Sequence, residues 1–172
     1  MATVTLKGNV VNLRGEIPTE NSIAPDFSFV KDDLSEGKLS EYAGKVKVLL
    51  SVPSLDTGVC AAETRTFNQK LASRDVVGIV ISKDLPFAMK RFCETENIEN
   101  VSNASDYRYG EFGINYNVEQ TDGPLKGLLA RAVWVVDGND NILYTELVPE
   151  ITTEPDYDKV MEVLDSLSLQ EN

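Results

Sequence analysis

The sequence predicts an α/β fold in which a mixed central sheet is flanked by helices and preceded by an N-terminal β-hairpin. Two nearly continuous apolar runs, residues 45–51 and Val76–Ser82, are typical of parallel strands covered on both faces. Each run is followed by a segment of helical composition, and a pair of apolar strands lies nearer the C-terminus. The 172 residues are 42% apolar and show no repeat or linker, so we expect one domain over residues 1–172.

The first half of the chain contains a hairpin, a loop, a strand and a helix. Residues 3–6 and 10–13 alternate in polarity, and the Gly-Asn pair between them favours a hairpin turn. Residues 17–26 are rich in Pro, Asn and Ser and predict a loop. The buried strand over residues 45–51 ends before a proline, and the composition of residues 60–71 then predicts a helix.

The next segment repeats the strand–helix order. Val76–Ser82 is the second buried strand, and a helix over residues 87–95 follows it. Asp84 and Pro86 are expected to start this helix, as the cap and as a residue of the first turn. Residues 100–106 are polar and are compatible with a weak strand followed by a loop.

The C-terminal part predicts a second hairpin and a final helix. Ala132–Val136 and Ile142–Leu147 are apolar strands on either side of a turn at residues 137–141. The last helix is expected to begin near Thr153, with Asp156 as its capping-box partner. Parallel strands joined by helices and followed by an antiparallel pair indicate an α/β sandwich of thioredoxin type.

Composition excludes several kinds of catalytic site. The chain has no histidine, which excludes Ser-His-Asp and Cys-His catalysis and histidine-ligated iron. Its two cysteines cannot close a structural zinc site, which takes four ligands. We expect no metal. The sequence also lacks a Gly-rich phosphate-binding motif, so we expect no nucleotide cofactor.

Charge and hydropathy bear on partners and location. The 28 acidic and 16 basic residues give a net charge of −12, which argues against nucleic acid and anionic membranes as partners. No apolar run approaches the roughly 20 residues of a membrane span. The first residues lack the pattern of a secretory signal, so we expect a cytoplasmic protein with reduced cysteines.

Cys60 is the candidate nucleophile because it follows a buried strand and lies in the first turn of a predicted helix. Backbone N–H groups and the helix dipole stabilise a thiolate at such a position. Lowering the pKa of a thiol from about 8.5 to about 6 takes about 3.4 kcal/mol, whereas the dipole supplies about 1 kcal/mol. A cation, here Arg or Lys, is therefore required. The alternative is that Cys60 is a small buried hydrophobic residue.

Thr57 precedes Cys60 by one helical turn. Its hydroxyl could hydrogen-bond the thiolate or an oxygen-containing substrate, or it could cap the helix, and the spacing favours neither role.

Four stretches of the sequence carry a family resemblance. The pattern Pro53-x-x-x-Thr57-x-x-Cys60 resembles the peroxiredoxin active-site motif, and the longer run over residues 53–61 resembles the bacterial thiol peroxidase subfamily. Three further segments are similar to that subfamily: residues 84–93, 122–132 and 150–157. Together they extend over most of the chain.

The resemblance implies a thioredoxin-like fold and the reduction of hydrogen peroxide and alkyl hydroperoxides. By position, Cys60 resembles the peroxidatic cysteine, and Thr57 the hydroxyl that holds thiolate and peroxide. Pro53 resembles the residue that shields the pocket from water. Arg131 resembles the arginine that supplies the positive charge, although a strand-edge ion pair is the alternative for this residue. Arg65, on the helix after Cys60, is a secondary candidate for the cation.

Cys93 follows Cys60 by 33 residues and resembles the resolving cysteine of the subfamily. The implied cycle passes through a Cys60 sulfenic acid and an intramolecular disulfide, which thioredoxin reduces. Two cysteines on separate helices can be too far apart to bond, so the cycle requires local unwinding. The alternative is that Cys93 is a core residue on a stripe with Met89. The resemblance also suggests a homodimer.

Two other functions compete with this hypothesis. A thioredoxin-type disulfide oxidoreductase is disfavoured because Thr57 stands where such a protein has the first cysteine of Cys-x-x-Cys. A non-catalytic binding module would leave both cysteines inert. The chain departs from the subfamily at Asn117, where glycine is usual. Residues 103–106 are also unusually polar, which could alter the resolving side of the cycle.

Overall fold

The computed structural model describes residues 2–170 and contains a seven-stranded sheet and a separate two-stranded hairpin. The strands are β1 (Thr3–Leu6), β2 (Asn9–Asn12), β3 (Ser28–Val30), β4 (Glu36–Lys38), β5 (Val46–Ser51), β6 (Val76–Ser82), β7 (Val101–Ser105), β8 (Ala132–Val136) and β9 (Ile142–Leu147). The helices are α1 (Gly58–Lys70), α2 (Pro86–Glu96), α3 (Glu111–Asn115) and α4 (Tyr157–Gln170), with a 3₁₀ turn at Leu39–Tyr42.

The large sheet is mixed, with the strand order β4-β3-β7-β6-β5-β8-β9. β5, β6 and β7 are parallel, and α1 and α2 connect them in turn. Antiparallel strands extend the sheet on both sides, β8 and β9 on one and β3 and β4 on the other. The predicted α/β fold with a mixed central sheet and an N-terminal hairpin is confirmed.

Each face of the sheet is covered by its own apolar layer. Val48 and Leu50 of β5 point to the layer formed with α1, α2 and α4, while Leu49 between them points to the opposite layer. On that opposite face, Trp134 of β8 packs edge-on against Phe112 and Tyr116 of the α3 region. Both faces of β5 are therefore buried, as the continuous apolar run predicts.

The predicted start of the second helix is wrong in one respect. Pro86 is the first helical residue, but the residue before it, Leu85, is the N-cap and makes no side-chain capping bond. The carboxylate of Asp84 is instead occupied outside the helix, where it accepts hydrogen bonds from Ser54 Oγ (2.8 Å) and the Leu55 amide (2.8 Å).

The last helix begins at Tyr157 and not near Thr153. The Thr153 hydroxyl donates to the Glu150 carbonyl (2.8 Å), which makes it part of a turn before the helix. Asp156 accepts a hydrogen bond from the Lys159 amide (3.2 Å), so it caps the helix directly and is no partner of Thr153.

Three short elements, β3, β4 and α3, have no counterpart among the predictions, and residues 101–105 form the strand β7. No described helix has both the length and the apolar character that a membrane crossing requires.

Candidate active site

Cys60 lies at the third position of α1, beyond the carboxyl end of the central strand β5. The chain leaves β5 through Val52 and Pro53, both buried, and then turns at the surface before the helix begins. The Cys60 side chain has no exposed surface. The fold therefore combines a helix N-terminus with an apolar enclosure at this sulfur.

Thr57 is the N-cap residue of α1. Its Oγ1 accepts a hydrogen bond from the Cys60 amide (3.3 Å) and donates to the Ser54 carbonyl (3.0 Å). Of the two roles that the sequence allows, capping is the one made in this structure. Thr57 is nevertheless exposed and one helical turn from the sulfur.

Asp84 anchors the loop that leads to Cys60. Besides Ser54 Oγ and the Leu55 amide, its carboxylate accepts a hydrogen bond from Ser82 Oγ (2.7 Å) at the end of β6. Asp84 therefore ties the loop before α1 to the neighbouring parallel strand β6. The sequence predicts a different role for Asp84, as the cap of the second helix.

Arg131 reaches Cys60 because of the antiparallel register between β5 and β8. Ala132, the first residue of β8, pairs with Ser51, the last residue of β5. Arg131 therefore lies beside the point where the chain leaves β5 for the loop and α1.

The guanidinium of Arg131 is buried and bound on three sides. Nη2 donates to Cys60 Sγ (3.2 Å), Nη1 to Glu63 Oε2 (2.7 Å) and Nε to the Ile151 carbonyl (2.9 Å). Burial lowers the pKa of Arg131, but the charge of Glu63 and the Cys60 sulfur together raise it by more than burial lowers it. The pKa of Arg131 therefore lies above its usual value. A fixed positive charge thus faces the sulfur, and the alternative of an ordinary strand-edge ion pair does not describe this geometry.

Glu63 is a buried carboxyl in the same cluster that sequence reasoning missed. Its side chain is fully buried, Oε2 pairs with Arg131, and Oε1 has no hydrogen-bond partner. Burial raises the pKa of Glu63 to about 7, against the opposing effect of the neighbouring Arg131. Helical periodicity could have revealed it, since Glu63 is three residues after Cys60 and shares its inward face.

Arg65, the secondary candidate for the cation, is directed elsewhere. Its Nη1 pairs with Glu96 of α2 at 3.3 Å, on a largely solvated surface. Among the residues that the structure describes, no group of three or more acidic or cysteine side chains is arranged to hold a metal ion.

Cys93 lies on α2, half-buried, and both cysteines are free thiols. Asn103 of β7 directs its amide nitrogen at Cys93 Sγ (3.0 Å). Burial raises the pKa of Cys93, the Asn103 hydrogen bond lowers it, and the charge of Asp32 raises it. A cavity of about 300 Å³ adjoins this thiol, and Tyr42 lies on its wall. Asn103 belongs to the polar run over residues 103–106 that the sequence marks as unusual, and the structure shows that its side chain contacts Cys93.

Asn117 adopts a left-handed backbone with φ of 56°. Asparagine tolerates this conformation better than most residues do, which explains how it stands in place of glycine. Its amide nitrogen also donates to the Glu16 carbonyl (2.8 Å), a contact that glycine could not make.

Comparisons with known proteins agree with this geometry. The Redoxin family model matches residues 19–161. A thiol peroxidase of Leptospira interrogans is 57% identical over 160 residues, which cover 91% of this chain and 94% of that protein. A thiol peroxidase of Mycobacterium tuberculosis is 46% identical over 164 residues, covering 95% and 99%.

Solved structures give the same result. The crystal structure of a peroxiredoxin-like protein from Aquifex aeolicus is 46% identical, has a TM-score of 0.92 and is matched over 97% of this chain and 98% of its own. A thiol peroxidase from Chromobacterium violaceum has a TM-score of 0.88 at 22% identity, with 98% of each chain covered, and shows the fold alone. On the family model, the sequence identities and the arrangement around Cys60, the chain belongs to the Redoxin family, and its curated relatives there are thiol peroxidases.

Proposed function

We propose that this protein is a thiol-dependent peroxidase in which Cys60 reduces hydrogen peroxide and alkyl hydroperoxides. The observation that carries the proposal is the contact between Arg131 Nη2 and Cys60 Sγ at 3.2 Å, made at a helix N-terminus. It supplies the cation that activation of a thiol without histidine requires. The identity of 57% to a thiol peroxidase supports the same chemistry.

The first step is nucleophilic attack of the Cys60 thiolate on the terminal peroxide oxygen. A sulfur–oxygen bond forms as the O–O bond breaks, so sulfur is oxidised to sulfenic acid. The other peroxide oxygen leaves and is protonated to water or to an alcohol. Arg131 faces the charge that moves from sulfur to the leaving oxygen, and Thr57, one helical turn before Cys60, offers an exposed hydroxyl donor. Donation to a peroxide requires Thr57 to release the Ser54 carbonyl.

Substrate access and selectivity follow from burial. Because Cys60 is fully enclosed, the peroxide must enter by displacing part of the exposed turn before α1. Val52, Pro53 and Leu55 are buried around this turn and keep water from the sulfur. Their apolar surface favours alkyl hydroperoxides.

The second step uses Cys93 as the resolving thiol. Its sulfur displaces the hydroxyl of the Cys60 sulfenic acid, which forms the disulfide and releases water. Because both thiols sit in folded helices, α1 and α2, this step needs local unwinding around them. A dithiol protein of the thioredoxin type then reduces the disulfide and restores both thiols. No metal or bound cofactor takes part.

We further propose that the protein acts in the cytoplasm, where such reductants are present, and as a homodimer. Large exposed apolar side chains support self-association: Leu85 and Phe87 at the start of α2 are 46% and 67% exposed, and Tyr107 after β7 is 67% exposed. All three follow the carboxyl ends of parallel strands, the same edge of the sheet as Cys60.

The test is a hydroperoxide assay coupled to thioredoxin, thioredoxin reductase and NADPH. Wild type should turn over, and Cys60→Ser should be inactive because it lacks the nucleophile. Cys93→Ser should form one sulfenic acid per chain in a single turnover but fail to cycle with thioredoxin. Turnover by Cys60→Ser would refute the assigned nucleophile, and full cycling by Cys93→Ser would remove that residue from the mechanism.

A further inference from the structure

Asn103 is a buried amide side chain of β7 that faces α2. It is 5% exposed, and its Nδ2 lies 3.0 Å from Cys93 Sγ, 3.3 Å from the Met89 carbonyl and 3.2 Å from Asp32 Oδ2. A backbone carbonyl and a carboxylate only accept hydrogen bonds, so the nitrogen of this amide must face them. The Asn103 Oδ1 atom is buried without a partner.

The contacts of Asn103 are concentrated on the turn of α2 that carries the resolving thiol. Met89 and Cys93 are four residues apart, so one amide binds the backbone and the sulfur of the same turn. The fully buried residues of α2 are Pro86 and Met89, both in its N-terminal half. In the C-terminal half, Phe92 and Cys93 are only partly buried against the core, and the Asn103 amide adds polar contacts that hold this part of the helix to the sheet.

The two sulfurs are bound by residues from different parts of the sheet. Cys93 Sγ is bound by Asn103 of β7, whereas Cys60 Sγ is bound by Arg131 beside β8. Cys60 follows β5, and in the order β7-β6-β5 this strand is two spacings from β7, about 10 Å at about 4.8 Å per spacing. Cys93 must therefore release Asn103 before it can reach Cys60.

We propose that Asn103 is a positioning residue for Cys93, a latch that keeps the resolving thiol docked and sets the rate of disulfide formation. The inference rests on the proposed function of Cys93. While Cys93 stays docked, the Cys60 sulfenic acid persists and is open to a second peroxide, which oxidises it to sulfinic acid and is itself reduced to water or an alcohol. The latch thereby also sets the sensitivity of the enzyme to over-oxidation.

The test compares wild type with Asn103→Leu, which keeps the bulk of the side chain and removes its hydrogen bonds. Gln120→Leu is the matched control, because Gln120 is also a buried amide with one unpartnered oxygen, and its Nε2 binds the Leu129 carbonyl away from α2. Reduced protein is mixed with one equivalent of hydrogen peroxide, quenched with an alkylating agent at successive times, and its sulfenic acid and disulfide forms are measured by mass spectrometry.

Asn103→Leu should form the sulfenic acid at the wild-type rate and the disulfide about tenfold faster, equivalent to about 1.4 kcal/mol. It should also need more peroxide for over-oxidation. A merely structural role would slow both steps. Should Asn103→Leu fold poorly, Asn103→Ser, which is too short to span the same contacts, is expected to accelerate the disulfide step as well.

The inference is overturned if Asn103→Leu resolves at the wild-type rate or slower, or if Gln120→Leu is accelerated equally. Its failure is distinguishable from failure of the proposed function. Loss of the disulfide in Cys93→Ser with no effect of Asn103→Leu removes only the latch, whereas a wild type that forms no disulfide removes the resolving role of Cys93 and the latch with it.

Discussion

Replacing the buried Glu63 by glutamine keeps the shape of the side chain and removes its titration. Burial raises the pKa of Glu63 from 4.5 to about 7 in the folded protein. The folded state binds this proton more tightly than the unfolded state does, and this difference adds to the free energy of unfolding. The contribution is complete below about pH 4.5, where the carboxyl is protonated in both states. That contribution is lost as the pH rises through about 7. The difference between the two pKa values corresponds to about 3 kcal/mol.

The difference in free energy of unfolding between Glu63→Gln and wild type should therefore shift by about 3 kcal/mol in favour of glutamine between about pH 4.5 and about pH 8. Only this shift is predicted, since the constant cost of altering the Arg131 pair cancels in it. The measurement is equilibrium urea unfolding of the reduced protein, followed by the fluorescence of the single tryptophan, Trp134, which is fully buried.

Glu162→Gln is the matched control, because it removes a glutamate from an exposed position of α4. A free-energy difference for Glu63→Gln that stays constant over this pH range would refute the reasoning. A change in the opposite direction would mean that Arg131 stabilises the charged carboxylate more than burial penalises it.

Two further outcomes are expected from changes at other groups. Arg131→Met should slow oxidation of Cys60 by peroxide by about 10²- to 10³-fold, because it removes the donor that faces the developing charge, and rapid-quench kinetics measure this. A loss below tenfold would exclude that role. Glu150 accepts hydrogen bonds from the amides of Gly8 (2.9 Å) and Thr152 (2.9 Å), which contribute to lowering its pKa to about 2. Its stabilising effect is present above its unfolded value of 4.5 and is lost as the pH falls toward 2. Glu150→Gln should therefore lower Tm at pH 7 and have little effect near pH 2, and an equal loss at both would contradict this.

The elements with strong periodic signals could be predicted from the sequence. The strands β5, β6 and β8 are mostly apolar runs, β9 follows β8 across a turn-like segment, and a Gly-Asn pair marks the turn of the N-terminal hairpin. The strands β3 and β4 have three residues each, too few for a periodicity to appear. They exist because they pair with each other and with β7, a tertiary interaction that local sequence does not express.

The candidate site divides in the same way. The positions of Cys60, Thr57 and Arg131 could be predicted because their chemistry is tied to a motif and to the strand that each follows or precedes. The spacing from Cys60 places Glu63 on the inward face of the helix, but a glutamate within a helix is usually solvent-exposed. The buried guanidinium that pairs with it is visible only in the three-dimensional arrangement. Asn103 was noted as unusual, but its contact with Cys93 depends on how α2 docks on β7.

A single residue, Ile151, connects the N-terminal hairpin to Arg131, the arginine that faces Cys60. The amide of Ile151 donates to the Thr5 carbonyl (2.9 Å), and the carbonyl of the same residue, Ile151, accepts from Arg131 Nε. Residues 149–151 hydrogen-bond to Thr5 of β1. Shortening or re-engineering the first dozen residues, for instance to attach an affinity tag, would remove these hydrogen bonds and release the segment that carries the Ile151 carbonyl. A change at the far end of the chain would then act as an active-site mutation, and kinetic comparisons between preparations should be made with identical N-termini.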